Sequence, residues 1–82
     1  MRIDKFLKNA RLIKRRTVAK EACDQERVSV NEKIVKAGAE VKEGDIIHIA
    51  FGNSAITVKA LKLTESCRKE DAAGMYEIVE EK

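Results

Sequence analysis

Arg16-Thr17-Val18-Ala19-Lys20-Glu21-Ala22-Cys23-Asp24-Gln25-Glu26-Arg27-Val28-Ser29-Val30-Asn31 is the stretch in which the chain changes its period. Up to Gln25, the residues Val18, Ala19, Ala22 and Cys23 fall at spacings of three and four that gather one side of a helix. Arg16 and Lys20, four apart, share another side. From Arg27 the period is two: Val28 and Val30 flank Ser29, and Asn31-Glu32 reads as a turn into Lys33-Ile34-Val35. Asn tolerates the left-handed backbone such a turn needs. A helix running directly into strands makes the fold class α+β.

Toward the N-terminus, Ile3, Phe6, Leu7 and Ala10 repeat the i, i+3, i+4, i+7 stripe of a first helix. At 100° per residue, Lys5 and Lys8 lie opposite that stripe. Asp4 stands in the first turn, where a carboxylate suits the helix dipole. Arg11 to Lys14 form a short connection in which Leu12 and Ile13 are expected to be largely buried. Carrying the second helix back through Arg15 would aim its guanidinium at the apolar side, so Arg15 is placed at the helix entrance. Small Ala19 and Ala22 permit close approach to the first helix.

Toward the C-terminus, Ala37-Gly38-Ala39-Glu40 reads as a loop, Val41 anchors a short extended piece, and Glu43-Gly44-Asp45 is a turn. Ile46 to Phe51 is a strand, Gly52-Asn53 a hairpin signal, and Ile56 to Leu63 the returning strand. The polar segment Thr64 to Gly74 contains a candidate helical turn, Lys69 to Ala73. Met75 to Val79 is a last strand before the acidic end Glu80-Glu81-Lys82. The architecture expected is two N-terminal helices packed on a small, mostly antiparallel sheet. With 82 residues, no proline and no repeats, the chain reads as one domain over 1–82, its core about 2–50 and a hairpin and strand extension over 51–82. A chain of this size buries only about 60–65% of the surface its unfolded form exposes. Only Phe6, Phe51 and Tyr76 are aromatic, so the core must be aliphatic.

Charge is distributed unevenly. Between Arg2 and Lys20, eight basic residues (Arg2, Lys5, Lys8, Arg11, Lys14, Arg15, Arg16, Lys20) face one acid, Asp4, for a formal charge of +7. Residues 21–82 hold nine basic residues and thirteen acids, net −4. A basic head on an acidic body points to a polyanion docking at one end. Arginine forks match phosphate oxygens in pairs. Single-strand binders interleave such charge with exposed aromatics, but Phe6 belongs to the core stripe and no other aromatic lies in the first fifty residues. Structured RNA read by backbone and shape fits better, while phosphate contacts alone do not separate it from DNA.

Catalysis has little to stand on. The chain holds no phosphate-cradling Gly loop, no H-E-x-x-H and no nucleophile elbow, and is expected not to be an enzyme. His48 alternates with Ile47 and Ile49 as a surface strand residue. Cys23 and Cys67 form no C-x-x-C pair and lie far from His48, so neither a disulfide nor a metal site nor a cofactor is expected. No apolar run approaches the roughly 20 residues of a membrane span and no secretory signal opens the chain, which makes the cytoplasm the expected location.

Arg2-Ile3-Asp4-Lys5-Phe6-Leu7, Arg15-Arg16-Thr17-Val18-Ala19, Arg27-Val28-Ser29-Val30-Asn31, Lys36 and Val41-Lys42-Glu43-Gly44-Asp45-Ile46 resemble, in order and spacing, the RNA-binding domain named after the fourth small-subunit ribosomal protein, or alpha-L motif. The resemblance implies that the two helices and the following loop bind RNA, with Arg2, Lys5, Arg16, Thr17 and Lys20 in the surface and Arg15 beside them. The chain departs from that pattern at Glu26 and Glu32, where the family usually has Gly. Across its length, through Leu12 to Thr17, the Phe51-Gly52 hairpin and Ala72-Ala73-Gly74-Met75-Tyr76, it resembles the RqcP family, free-standing bacterial relatives of the small heat-shock ribosome-recycling factor. That resemblance implies a ribosome-associated quality-control factor, expected to be a monomer off the ribosome. Its partners would be large-subunit rRNA, peptidyl-tRNA and, functionally, RqcH in C-terminal alanine tailing. A general rRNA-binding recycling or assembly factor, a fragment of an RNA-modifying enzyme and a sheet-based protein-interaction module are the alternatives.

Overall fold

A stripe of Ile3, Phe6 and Leu7, each with no exposed surface, makes one side of α1 (Ile3–Asn9) a core face in the computed structural model, which describes residues 1–63 and 74–81. Seven residues are too few for a helix to hold on propensity alone, so α1 depends on its surroundings. The Ile3 and Asp4 N–H groups donate to the carbonyls of Ala39 (2.8 Å) and Ala37 (3.4 Å), which supply partners that a helix start lacks. Arg2 bridges Glu40, and Val41, buried, donates its N–H to Met1 O at 2.9 Å. The loop at 37–41 is thus fastened to the entrance of α1.

α2 spans Arg16–Asp24, one residue short of the expected Gln25, and Arg15 is its extended N-cap, where the sequence placed it. Both helices end in the same way. After α1, the Arg11 N–H donates to Lys8 O (3.0 Å) and the Leu12 N–H to Leu7 O (3.1 Å). After α2, the Glu26 N–H donates to Cys23 O (3.0 Å) and the Arg27 N–H to Ala22 O (2.9 Å). These are Schellman closures, which require left-handed backbone at the residue past the cap. Arg11 (φ 59) and Glu26 (φ 61) adopt it without being glycine.

α2 packs on α1 through Ala19 and Cys23, both fully buried. The expected inclusion of Val18 in that packed stripe is corrected: Val18 is 46% exposed. Ala19 and Cys23 are four apart and define the contact line, and Val18, one residue and 100° away, falls off its edge. Ile13 is buried as expected, whereas Leu12 is only half-buried.

Among the described residues, five strands, β1 (Val28–Val30), β2 (Lys33–Ile34), β3 (Ile46–Phe51), β4 (Ser54–Ala60) and β5 (Tyr76–Glu81), form one sheet ordered β2-β1-β3-β4-β5 with every neighbouring pair antiparallel. β4 starts two residues earlier than expected and stops at Ala60 rather than Leu63. Alternation sorts the sheet faces. Val28, Val30, Ile47, Ile49, Val58 and Ala60 are buried with the helices, while His48 lies exposed on the other face with Nδ1 2.9 Å from Thr57 Oγ1. The β1–β2 turn is Asn31-Glu32, both left-handed (φ 52 and 71). Two such residues in a two-residue hairpin loop match the right-handed twist of the strands. The Asn31 side chain also ties this turn to β3, accepting from the Ile46 N–H at 3.0 Å and donating to Asp45 at 3.2 Å. Gly52 (φ 52) supplies the bend between β3 and β4. Lys69 to Ala73 and Cys67 lie outside the described residues.

Candidate nucleic-acid interface

The nine residues singled out from the sequence lie at the entrance of α1, on α1 and α2, and in the connection between them. Arg2 precedes α1; Lys5 and Lys8 are on it; Arg11 follows its cap; Lys14 is in the connection; Arg15 caps α2; and Arg16, Thr17 and Lys20 are on α2. All are exposed except Lys5, which is half-buried. The body of the sheet carries none of them.

The structure gathers five of their side chains into two groups. The first is built around Asp4, only 2% exposed. Its carboxylate meets Arg2 (Nε to Oδ1, 3.3 Å) and Arg16 (Nε to Oδ2, 3.4 Å), and Oδ1 also accepts from the Lys5 N–H at 2.8 Å. A buried charge is tolerated only when paired and hydrogen-bonded, and here two helices supply the partners. Each arginine keeps about half of its side chain open, 50% and 49%. Asp4 therefore holds two guanidinium groups from the inside while about half of each arginine side chain stays open to solvent. Asp4 stands in the first turn of α1, as expected. Its role as the tie between α1 and α2 was not foreseen.

The second group is Lys8, Arg11 and Lys14, which with Ile13 line a recess of about 340 Å³. The left-handed turn at Arg11 swings the chain around so that residues three and six places beyond Lys8 line the same hollow. Three cations around one concavity concentrate positive potential there. Arg15, Thr17 and Lys20 stand exposed on α2 outside both groups. The first turn of α2 carries no acid and follows an arginine N-cap that makes no side-chain capping bond. The positive end of the α2 dipole thus adds to the cationic field and suits an anion.

Burial raises the Cys23 thiol from 9.0 to about 11, with Asp4 and then Asp24 adding to the effect, so it stays protonated and acts as core. Among the described residues, no group of three or more His, Cys, Asp or Glu could hold a metal ion, and no helix is long and apolar enough to cross a membrane.

Sequence reasoning did not place Phe51 beside the basic segment. Phe51, at the far end of β3 and 41% exposed, lines a cleft with Val18 of α2 and Lys14 of the connection. No local signal in the sequence joins position 51 to the basic segment; the β1–β3 pairing does.

The S4 domain family matches residues 1–47. An RQC P-site tRNA stabilizing factor of Halalkalibacterium halodurans is 53% identical over 99% of this chain and 92% of its own length. The protein of the same name from Bacillus subtilis is 51% identical over 99% and 94%. That of Helicobacter pylori strain 26695 is 37% identical over 87% of each chain. Among solved structures, the trimeric Heat Shock Protein 15 of Vibrio cholerae superposes with a TM-score of 0.89, at 26% identity over 96% of this chain and 81% of that one. The solution structure of the hypothetical protein HP1423 gives 0.82 at 31% identity, covering 95% of both. The RNA-binding expectation and the α+β architecture thus meet in one assignment: the chain belongs to the S4 domain family and, within it, to the family of RQC P-site tRNA stabilizing factors.

Proposed function

We propose that this protein works by binding alone, holding P-site tRNA on obstructed large ribosomal subunits so that RqcH can extend the stalled chain with alanine. The observation that carries the proposal is the pair of guanidinium groups fixed on buried Asp4, together with the Lys8, Arg11 and Lys14 recess at the end of α1 and in the connection to α2. The names of the relatives, which specify stabilisation of P-site tRNA, support the choice of partner.

Arg2 and Arg16 clamp phosphates as oriented forks, because a guanidinium already seated on a carboxylate gives up little freedom when it meets an anion. Lys8, Arg11 and Lys14 take a second stretch of backbone. Lys5 and Lys20 add to the field, and Thr17 and Arg15 lie at the positive end of α2. Two cationic groups on one small domain suit a position between two RNA surfaces, large-subunit rRNA and tRNA. The protein acts as a monomer off the ribosome, in the cytoplasm, without cofactor or metal, and RqcH is served through the position of the tRNA.

The test is binding to purified large subunits, with and without peptidyl-tRNA, over a range of salt. Neutralising five to seven phosphates gives a log–log slope of roughly −3.5 to −6. Binding should be tighter when peptidyl-tRNA is present. A slope near zero would defeat the electrostatic reading, and equal affinity for empty subunits would favour a general rRNA-binding assembly factor.

A further inference from the structure

The cleft between the end of α2 and the β3–β4 turn has a character that phosphate binding does not explain. It measures about 340 Å³, at the lower end of the roughly 300–1,000 Å³ of small-ligand clefts. Its open surface includes Phe51 (41% exposed) and Val18 (46% exposed), with Lys14 and Arg27 as its cations. The site is anchored, because the Ala50 N–H donates to Arg27 O at 2.9 Å and Phe51 pairs with Ser54 across a two-residue turn. The sheet ladder thus fixes the backbone from which the ring projects.

We infer that this cleft receives one unstacked nucleobase of the bound RNA, which rests on the RNA-binding reading above. Three features select that occupant. An exposed aromatic beside cations is what single-stranded RNA needs, since the ring stacks on a base while the cations meet its phosphate. Lys14 and Ile13 line both this cleft and the Lys8 and Arg11 recess, so a strand tracking the cationic surface passes the cleft mouth. Glu21 and Gln25 also line the cleft. A carboxylate there opposes a bare phosphate but accepts from the N–H edge of a base. The lack of interleaved aromatics in the basic stretch is made good by a residue some thirty positions downstream of Lys20.

The test replaces Phe51 with the photoreactive p-benzoylphenylalanine, irradiates the protein bound to large subunits carrying peptidyl-tRNA, and maps the adduct. Binding of Phe51→Ala and Phe51→Trp is measured on the same particles. An adduct on an unpaired nucleotide is expected. With it, Phe51→Ala should bind roughly 5- to 150-fold more weakly and Phe51→Trp within about 3-fold of the original. Three results would each overturn the inference: an adduct on a ribosomal protein, an adduct on a base-paired nucleotide, or no adduct together with unchanged binding by Phe51→Ala. If Arg16→Ala still weakens binding in those cases, only the nucleobase site falls. If the unaltered protein does not bind the particles, the RNA reading falls and this site with it.

Discussion

Asp4→Asn separates two accounts of the basic surface by the sign of its effect. The substitution keeps the shape of the buried side chain and removes the charge on which Arg2 and Arg16 are seated at 3.3 and 3.4 Å. If the surface works only as a field, losing a negative charge strengthens RNA binding. A phosphate roughly 8 Å away in water would gain about 0.5 kcal/mol. If Asp4 preorganises the forks, both guanidinium groups become mobile in the unbound protein. Ordering each on binding then costs about 0.5–1.5 kcal/mol, or about 1–3 kcal/mol for the pair. Subtracting the gain leaves binding weaker by about 0.5–2.5 kcal/mol, which is roughly 2- to 70-fold.

The same change should lower stability by about 1–2 kcal/mol. Charge-assisted bonds are lost, and relief from burying a carboxylate offsets part of that loss. The midpoint of thermal unfolding would fall by roughly 4–16 °C. Affinity for large subunits is therefore compared at a temperature where circular dichroism shows both proteins folded. Binding by Asp4→Asn that equals or exceeds that of the original protein would refute the preorganised clamp.

Two further outcomes follow from the backbone and the core. Left-handed backbone costs a side-chain-bearing residue about 1–2 kcal/mol, and glycine forfeits about 0.5–1 kcal/mol of that gain through its freer unfolded state. Glu32→Gly, at φ 71 in the β1–β2 turn, should thus stabilise the fold by about 0.5–1 kcal/mol and raise the unfolding midpoint by roughly 2–8 °C. A fall in a calorimetric scan would mean that the Glu32 side chain contributes more than its backbone strain removes. Cys23 titrates near 9.0 when unfolded and near 11 when folded, because burial disfavours its thiolate. The raised pKa makes its contribution complete below pH 9 and lost as pH rises toward 11, by about 2–3 kcal/mol in total. Urea melts of Cys23→Ala should be flatter than those of the original protein across that window, and parallel curves would show that Cys23 is not the group responsible.

The sequence made the helices and the sheet legible where one physical signal dominated. Ile3, Phe6 and Leu7 announced the α1 core face, and the alternation at Val28, Ser29 and Val30 announced β1. It was silent where the residue type does not reveal the backbone. Arg11, Glu26 and Glu32 take left-handed conformations that glycine would have advertised, and the backbone hydrogen bonds that close the two helices and the β1–β2 pairing hold them there. Asp4 was read through its local helix dipole because Arg16, its partner, stands twelve residues away. Val18 matched the apolar spacing of α2 but sits at its rim, since a two-residue contact line of Ala19 and Cys23 suffices for so short a helix. Of the candidate site, the membership of the basic residues was written in their density. Their division into a carboxylate-seated pair and a three-cation recess came only with the fold.

On the function proposed above, α1 and α2 present this protein to RNA at the P-site. Imaging the protein on large subunits that carry peptidyl-tRNA tests it most directly. Arg2 and Arg16 are expected against RNA phosphates, the Lys8, Arg11 and Lys14 recess on a second RNA segment, and tRNA at one of these contacts. A particle in which the outer sheet face around His48 meets the RNA, with α1 and α2 turned to solvent, would contradict it.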